Sequence, residues 1–120
     1  MINLGNAYGY LGNYEKQCSM QRKALSIVRR VYGKTHKQVA IALGNLGHAL
    51  GQLGNYEEQC EMQEKALAIE RKVYGENHIE IAITLRNLAH AYARLGDLKK
   101  QEELVARATK IERTNTYCAQ

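Results

Sequence analysis

An all-α solenoid of about three stacked helix–turn–helix repeats is the fold this sequence predicts, and three observations predict it. Residues 12–36, GNYEKQCSMQRKALSIVRRVYGKTH, return as residues 54–78, GNYEEQCEMQEKALAIERKVYGENH, at an offset of 42, and about 25 of 42 positions match between the first two copies. Residues 85–113 repeat residues 43–71 more weakly at the same offset. Self-similarity at a fixed period of this length marks stacked supersecondary units, none of which can bury its apolar face alone. Within each copy the apolar residues recur at steps of 3 and 4, which is the helical period. The 120 residues include no Pro, and this favours long uninterrupted helices. The chain reads as one domain, residues 1–120, with repeats at approximately 1–36, 37–78 and 79–120, the first and last incomplete.

Each copy opens with an amphipathic helix. Val39, Leu43, Leu46, Leu50 and Leu53 form its stripe in the middle copy, and Ile81, Leu85, Leu88, Tyr92 and Leu95 in the last; the first copy starts part-way along, Met1 aligning with Leu43. Gly54-Asn55 and Gly96-Asp97 break these helices. In the second helix Met62, Ala66, Ile69 and Val73 make one stripe, and Tyr56, Cys60, Leu67 and Tyr74 an adjoining one, so it is expected to be covered on two sides, as a stack requires. Gly75 is placed to end it, and Thr35 and Asn77 to cap the helix that follows. The pattern is helix, tight turn, helix, short loop, repeated. Small residues recur along the opening helices as Gly5 and Gly9, as Ala40, Gly44, Gly47 and Gly51, and as Ala82, Ala89 and Ala93. Interior Gly costs a helix up to about 1 kcal/mol relative to Ala, so the run predicts sites where a neighbouring helix comes close.

Composition excludes several function classes. The longest purely apolar stretch, Val39 to Leu43, is far short of the roughly 20 residues of a bilayer span, and MINLGNAYGYLG has neither the basic nor the apolar region of a signal peptide. Three cysteines without a C-x-x-C pair fit free thiols, so the expected location is cytoplasmic, with no membrane partner. His36 and His78 are one repeat position and His48 and His90 another; their number reflects duplication, and no metal-ligand spacing or phosphate-binding glycine loop exists. No cofactor, no metal and no enzymatic activity are expected. The net charge of +5 divides into +6 for residues 1–42, −4 for 43–84 and +3 for 85–120. That acidic interruption, with no aromatics interleaved among the basic residues, argues against nucleic acid.

Asn45-Leu46-Gly47, Leu53-Gly54-Asn55-Tyr56, Lys65-Ala66-Leu67 and Gly75-x-x-His78 fall in an order and spacing that resembles the tetratricopeptide repeat (TPR) in its long, kinesin-light-chain-type form. The resemblance covers nearly the whole chain. It implies a right-handed superhelix, a TPR solenoid, whose first helices line a concave groove that binds extended peptide segments. The chain departs from the family in several places. Lys37 and Ile79 replace the proline usual after the His. Gln17, Gln59 and Gln101 stand where a small apolar residue is usual, and Gln21 and Gln63 where an aromatic is. Polar groups at buried positions must find partners there.

The third face of the opening helices is polar: Ile41, Asn45, His48 and Gln52 in the middle copy, Ile83, Asn87, His90 and Arg94 in the last, and Asn3, Asn6 and Tyr10 in the first. The resemblance puts the recurring Asn3, Asn45 and Asn87 in the groove, where the amide would hydrogen-bond a peptide backbone; the competing role is pairing with the neighbouring repeat. With Arg86 and Arg94 on the same helix and no Asp or Glu in this polar stripe, the expected partner is an acidic peptide segment of another protein, bound without catalysis. The alternative is a self-assembling scaffold, a homo-oligomer stacked end to end through Leu4, Tyr8 and Leu11 at one end and Leu104, Ala108 and Ile111 at the other.

Overall fold

The computed structural model describes the backbone of residues 4–119 and the side chains of residues 13–115. Five helices run in order: α1 (Leu4–Tyr32), α2 (Lys37–Gln52), α3 (Tyr56–Tyr74), α4 (Ile79–Arg94) and α5 (Leu98–Ala119). Packing is sequential, α1 on α2, α2 on α3, α3 on α4 and α4 on α5, which builds an all-α helical-repeat superhelix. The hairpins α2–α3 and α4–α5 are the second and third repeats, and the last part of α1 is the second helix of the first.

The turns form where the glycines predict. After Leu53 the chain takes Gly54 at φ +83°, a left-handed conformation that only glycine adopts cheaply. The Gly54 N–H then donates to the Gly51 carbonyl (3.0 Å) and the Asn55 N–H to that of Leu50 (2.9 Å), which satisfies two carbonyls the helix end would otherwise leave open. The same pair of bonds recurs at Gly96 and Asp97.

The first copy differs. Gly12 and Asn13, the counterparts of Gly54 and Asn55, lie inside the continuous α1, so the helix–turn–helix expected there is one helix.

The loops correct a second expectation. The caps of α2 and α4 are His36 and His78, not Thr35 and Asn77: each imidazole Nδ1 accepts the backbone N–H two residues on, Gln38 and Glu80, at 3.1 Å. Each ring also stacks on the tyrosine that ends the preceding helix, Tyr32 at 4.6 Å and Tyr74 at 4.4 Å between centroids. The ring thus ties the end of one repeat to the start of the next, and it reaches the helix terminus that the shorter side chains were expected to satisfy.

Two core clusters share α3. Met62, Ala66 and Ile69 pack with α1 and α2, among Cys18, Leu25, Leu43, Leu46 and Leu50; Cys60 and Leu67 pack with α4 and α5, among Leu85, Leu88, Leu104, Ala108 and Ile111. The two-stripe reading of this helix therefore holds for these five residues, while Val73 is exposed and Tyr56 and Tyr74 are half-buried outside both clusters. Leu104, Ala108 and Ile111 are buried against α4 and offer no end surface, because they occupy the repeat positions of Met62, Ala66 and Ile69 and serve their own hairpin. The other α5 stripe, at the positions of Cys60 and Leu67, carries the polar Glu102 and Thr109. Leu4, Tyr8 and Leu11, proposed for the opposite end, lie outside the described side chains.

Candidate functional site

A pocket of about 390 Å³ opens between α2 and α4, over α3. His48 and Gln52, one helical turn apart on α2, form one wall, and Asn87, His90 and Arg94 on α4 form the other. These are five of the nine groove residues expected from the sequence. Helical spacing of 3 and 4 brings each trio or pair to one face, and the 42-residue repeat sets the two faces opposite each other.

Of the other four, two are placed elsewhere and two fall outside the described side chains. Asn45 is exposed on α2 and does not line the pocket. Arg86 turns to α5, its Nε and Nη2 donating to the two carboxylate oxygens of Glu112 at 2.9 and 2.5 Å, with a further contact to Thr109. That bidentate pair holds the Glu112 carboxyl below its usual range. Asn3 is outside the described residues, and Asn6 falls in α1 with its side chain outside them.

Tyr56, Gln59 and Gln63 of α3 supply the pocket's remaining polar lining and were not foreseen as site residues. A signal for two of them existed, since both glutamines stand out as polar residues at buried positions. Gln63 is 2% exposed and Gln59 6%, and they fit because of the glycines opposite. A Cβ on Gly47 would lie 2.9 Å from Gln63 Nε2, and one on Gly51 would lie 2.7 Å from Gln59 Oε1. The helix glycines therefore make room for side-chain amides, not for the backbone of a neighbour; a Cβ on Gly44 would meet nothing within 4 Å. Gln59 Oε1 has no hydrogen-bond partner among the described residues.

Among the described residues Arg94 is the only Lys, Arg, Asp or Glu in the lining, and the rest are hydrogen-bonding side chains and one glycine. The two described thiols lie apart from it: burial, then Glu64 and Glu57, push Cys60 up to about 11, and burial raises Cys18, so both are poor nucleophiles. No three His, Cys, Asp or Glu converge among the described residues.

A profile of the tetratricopeptide repeat matches residues 1–58 and again residues 39–113. The chain belongs to the tetratricopeptide repeat family. Its repeats are of the kinesin-light-chain type. The crystal structure of BtubC (BKLC) from P. vanneervenii shares the TPR architecture, with a TM-score of 0.82 and 26% identity over 91% of this chain. The match takes up 44% of the BtubC chain, so the present TPR chain spans less than half the length of that protein. A search of curated proteins found no significant match. TPR repeats mediate protein–protein interaction, typically as non-enzymatic scaffolds. Among the described residues no helix is long and apolar enough to cross a membrane.

Proposed function

We propose that the pocket between α2 and α4 binds an extended, acidic segment of a partner protein, without catalysis and without a cofactor. The observation that carries this is the lining: hydrogen-bonding groups of both polarities, one cation and no carboxylate. Asn87 offers its amide to a peptide unit whatever the sequence, and Gln59 and Gln63 add amides from the floor. Arg94, solvent-facing at the end of α4, takes a carboxylate. The buried free thiols of Cys18 and Cys60 fit a reducing, cytoplasmic setting.

Titration of acidic, neutral and basic peptides against wild type, Asn87→Ala and Arg94→Ala tests the reading. Asn87→Ala weakens all ligands by roughly 1 to 2 kcal/mol, the value of a lost hydrogen bond with its partner left unpaired. Arg94→Ala weakens acidic peptides selectively, and added salt shrinks the difference. Equal binding of all three peptide classes by wild type would overturn it.

Self-assembly is a second reading with one observation in its favour. On α1, Met20 and Ile27 are 69% and 57% exposed, whereas their repeat counterparts Met62 and Ile69 are buried. Sedimentation over a concentration range separates the two, since assembly through α1 makes mass rise with concentration and Ile27→Lys abolishes the rise.

A further inference from the structure

The strongest unassigned feature is a cleft of about 440 Å³ between α1 and α3, which shares no lining residue with the groove. Its rim is Arg29, Lys34, Lys65 and Lys72, and its floor includes Leu43 and Ile69. None of the four cationic side chains makes an ion pair among the described residues. Four unpaired cations around an apolar floor repel one another, and the repeat shows what normally relieves this.

One repeat further on, the counterparts of Arg29, Lys34, Lys65 and Lys72 are Arg71, Glu76, Arg107 and Thr114. There the Glu76 carboxylate sits between the two arginines, 3.2 Å from Arg71 Nε and 3.8 Å from Arg107 Nη2. The position between α3 and α5 is thus neutralised from within, by a side chain on the α3–α4 loop. In the earlier copy that loop position is Lys34, so the two cations that hold a carboxylate in one repeat stand without one in the other. The cleft also gains a cation at Lys72, where the later copy has Thr114.

We infer that the cleft between α1 and α3 is a second docking site, which takes an acidic protein segment whose carboxylate stands where that of Glu76 stands in the next repeat while a neighbouring apolar side chain packs on the exposed Ala68. A carboxylate is favoured because the repeat itself displays one between the equivalent cations. An apolar neighbour suits the cleft because the exposed Ala68 lines it beside the buried Leu43 and Ile69. The site is independent of the groove: it uses the second helices and the connecting loop, and its cations are not those of α4.

The test is fluorescence anisotropy on the full chain with a labelled peptide of alternating Glu and Leu, and its Gln and Leu counterpart as control. Wild type binds the Glu peptide more tightly. Lys34→Glu rebuilds the internal neutralisation seen at Glu76, and since like charges set against each other cost several kcal/mol, it weakens the Glu peptide at least about tenfold. Its fold is safe by the precedent of the next repeat, with circular dichroism as the check; Lys34→Ala gives a smaller loss in the same direction. Arg94→Ala removes only the binding that belongs to the groove and leaves the equivalent that Lys34→Glu weakens, and Glu76→Lys adds a further equivalent of bound peptide. Wild-type affinity in Lys34→Glu would overturn the inference, as would loss of all binding in Arg94→Ala, which would assign the peptide to the groove. Binding of phosphatidylserine vesicles in place of the peptide, abolished by Lys34→Glu, would overturn it in favour of a lipid surface.

Discussion

The hairpins α2–α3 and α4–α5 have one backbone plan and two different seams. In the first, Gly47 and Gly51 face the buried amides of Gln63 and Gln59. In the second, the same positions hold Ala89 and Ala93 against Val105 and Gln101. Where the glycine gains a methyl, the opposing glutamine is either replaced by a smaller apolar side chain or moves toward solvent: Gln101 is half-buried where Gln59 is buried. The pairs vary together within one chain. Packing, not helix propensity, chose the glycines, and the space they leave puts amides on the pocket floor.

Exchanging one member of a pair should break this relation. Val105→Gln sets a buried amide against Ala89 without the room Gly47 provides, so overpacking and an unmet polar group together cost about 3 kcal/mol of unfolding free energy in urea. Ala89→Gly added to it restores part of the loss. In the other hairpin Gly47→Ala crowds Gln63 Nε2 and destabilises by about 1 to 2 kcal/mol after its gain in helix propensity. Adding Gln63→Val, which copies the α4–α5 seam, recovers that loss, and a double-mutant cycle reads a coupling of about 1 kcal/mol or more. Independent effects would separate the glycines from the glutamines.

The loops should respond alike in both repeats. His36→Ala and His78→Ala each remove an N-cap acceptor and cost about 1 kcal/mol in thermal or urea unfolding. A loss confined to one of them would mean that the cap matters less than the stack on Tyr32 or Tyr74.

The smallest effect concerns the interfaces between repeats. Between α3 and α4 the buried Glu70 accepts from Thr84 Oγ1 at 2.5 Å, whereas the counterparts between α1 and α2 are Val28 and Ala42. Burial raises the Glu70 carboxyl above its ordinary range. A raised carboxyl means the fold favours the protonated form: its contribution is full below the unfolded value of about 4.3 and is lost as pH rises through the folded value. Glu70→Gln, which can still accept from Thr84, should therefore stabilise modestly at neutral pH, and the gain should vanish toward pH about 4.3, as thermal melts across that range would show.

Architecture was legible because a repeat states each instruction more than once. The leucine stripes, the Gly54 and Gly96 turns and the double stripe of α3 follow from periodicity and glycine chemistry alone. The continuous α1 was not legible, since the local signal at Gly12-Asn13 equals that at Gly54-Asn55. The histidine caps were missed because a ring whose Nδ1 turns back to the backbone looks, in sequence, like any loop histidine. At the site, helical spacing brought His48, Gln52, Asn87, His90 and Arg94 to one pocket. Arg86 lies one residue from Asn87, and that 100° rotation sends it to Glu112 instead. The floor glutamines stood out as anomalies, but their role depends on the glycines of another helix.

The measurement that tests this account most directly joins the seam to the pocket. Gly47→Ala with Gln63→Val keeps a seam the chain already uses in α4–α5, so its melting temperature should stay near wild type. It removes one amide from the pocket floor, and the tightest acidic peptide should then bind about tenfold more weakly by calorimetric titration, the worth of a hydrogen bond or two. Unchanged affinity in a variant that melts like wild type would contradict the account, because the glutamine would then serve packing alone.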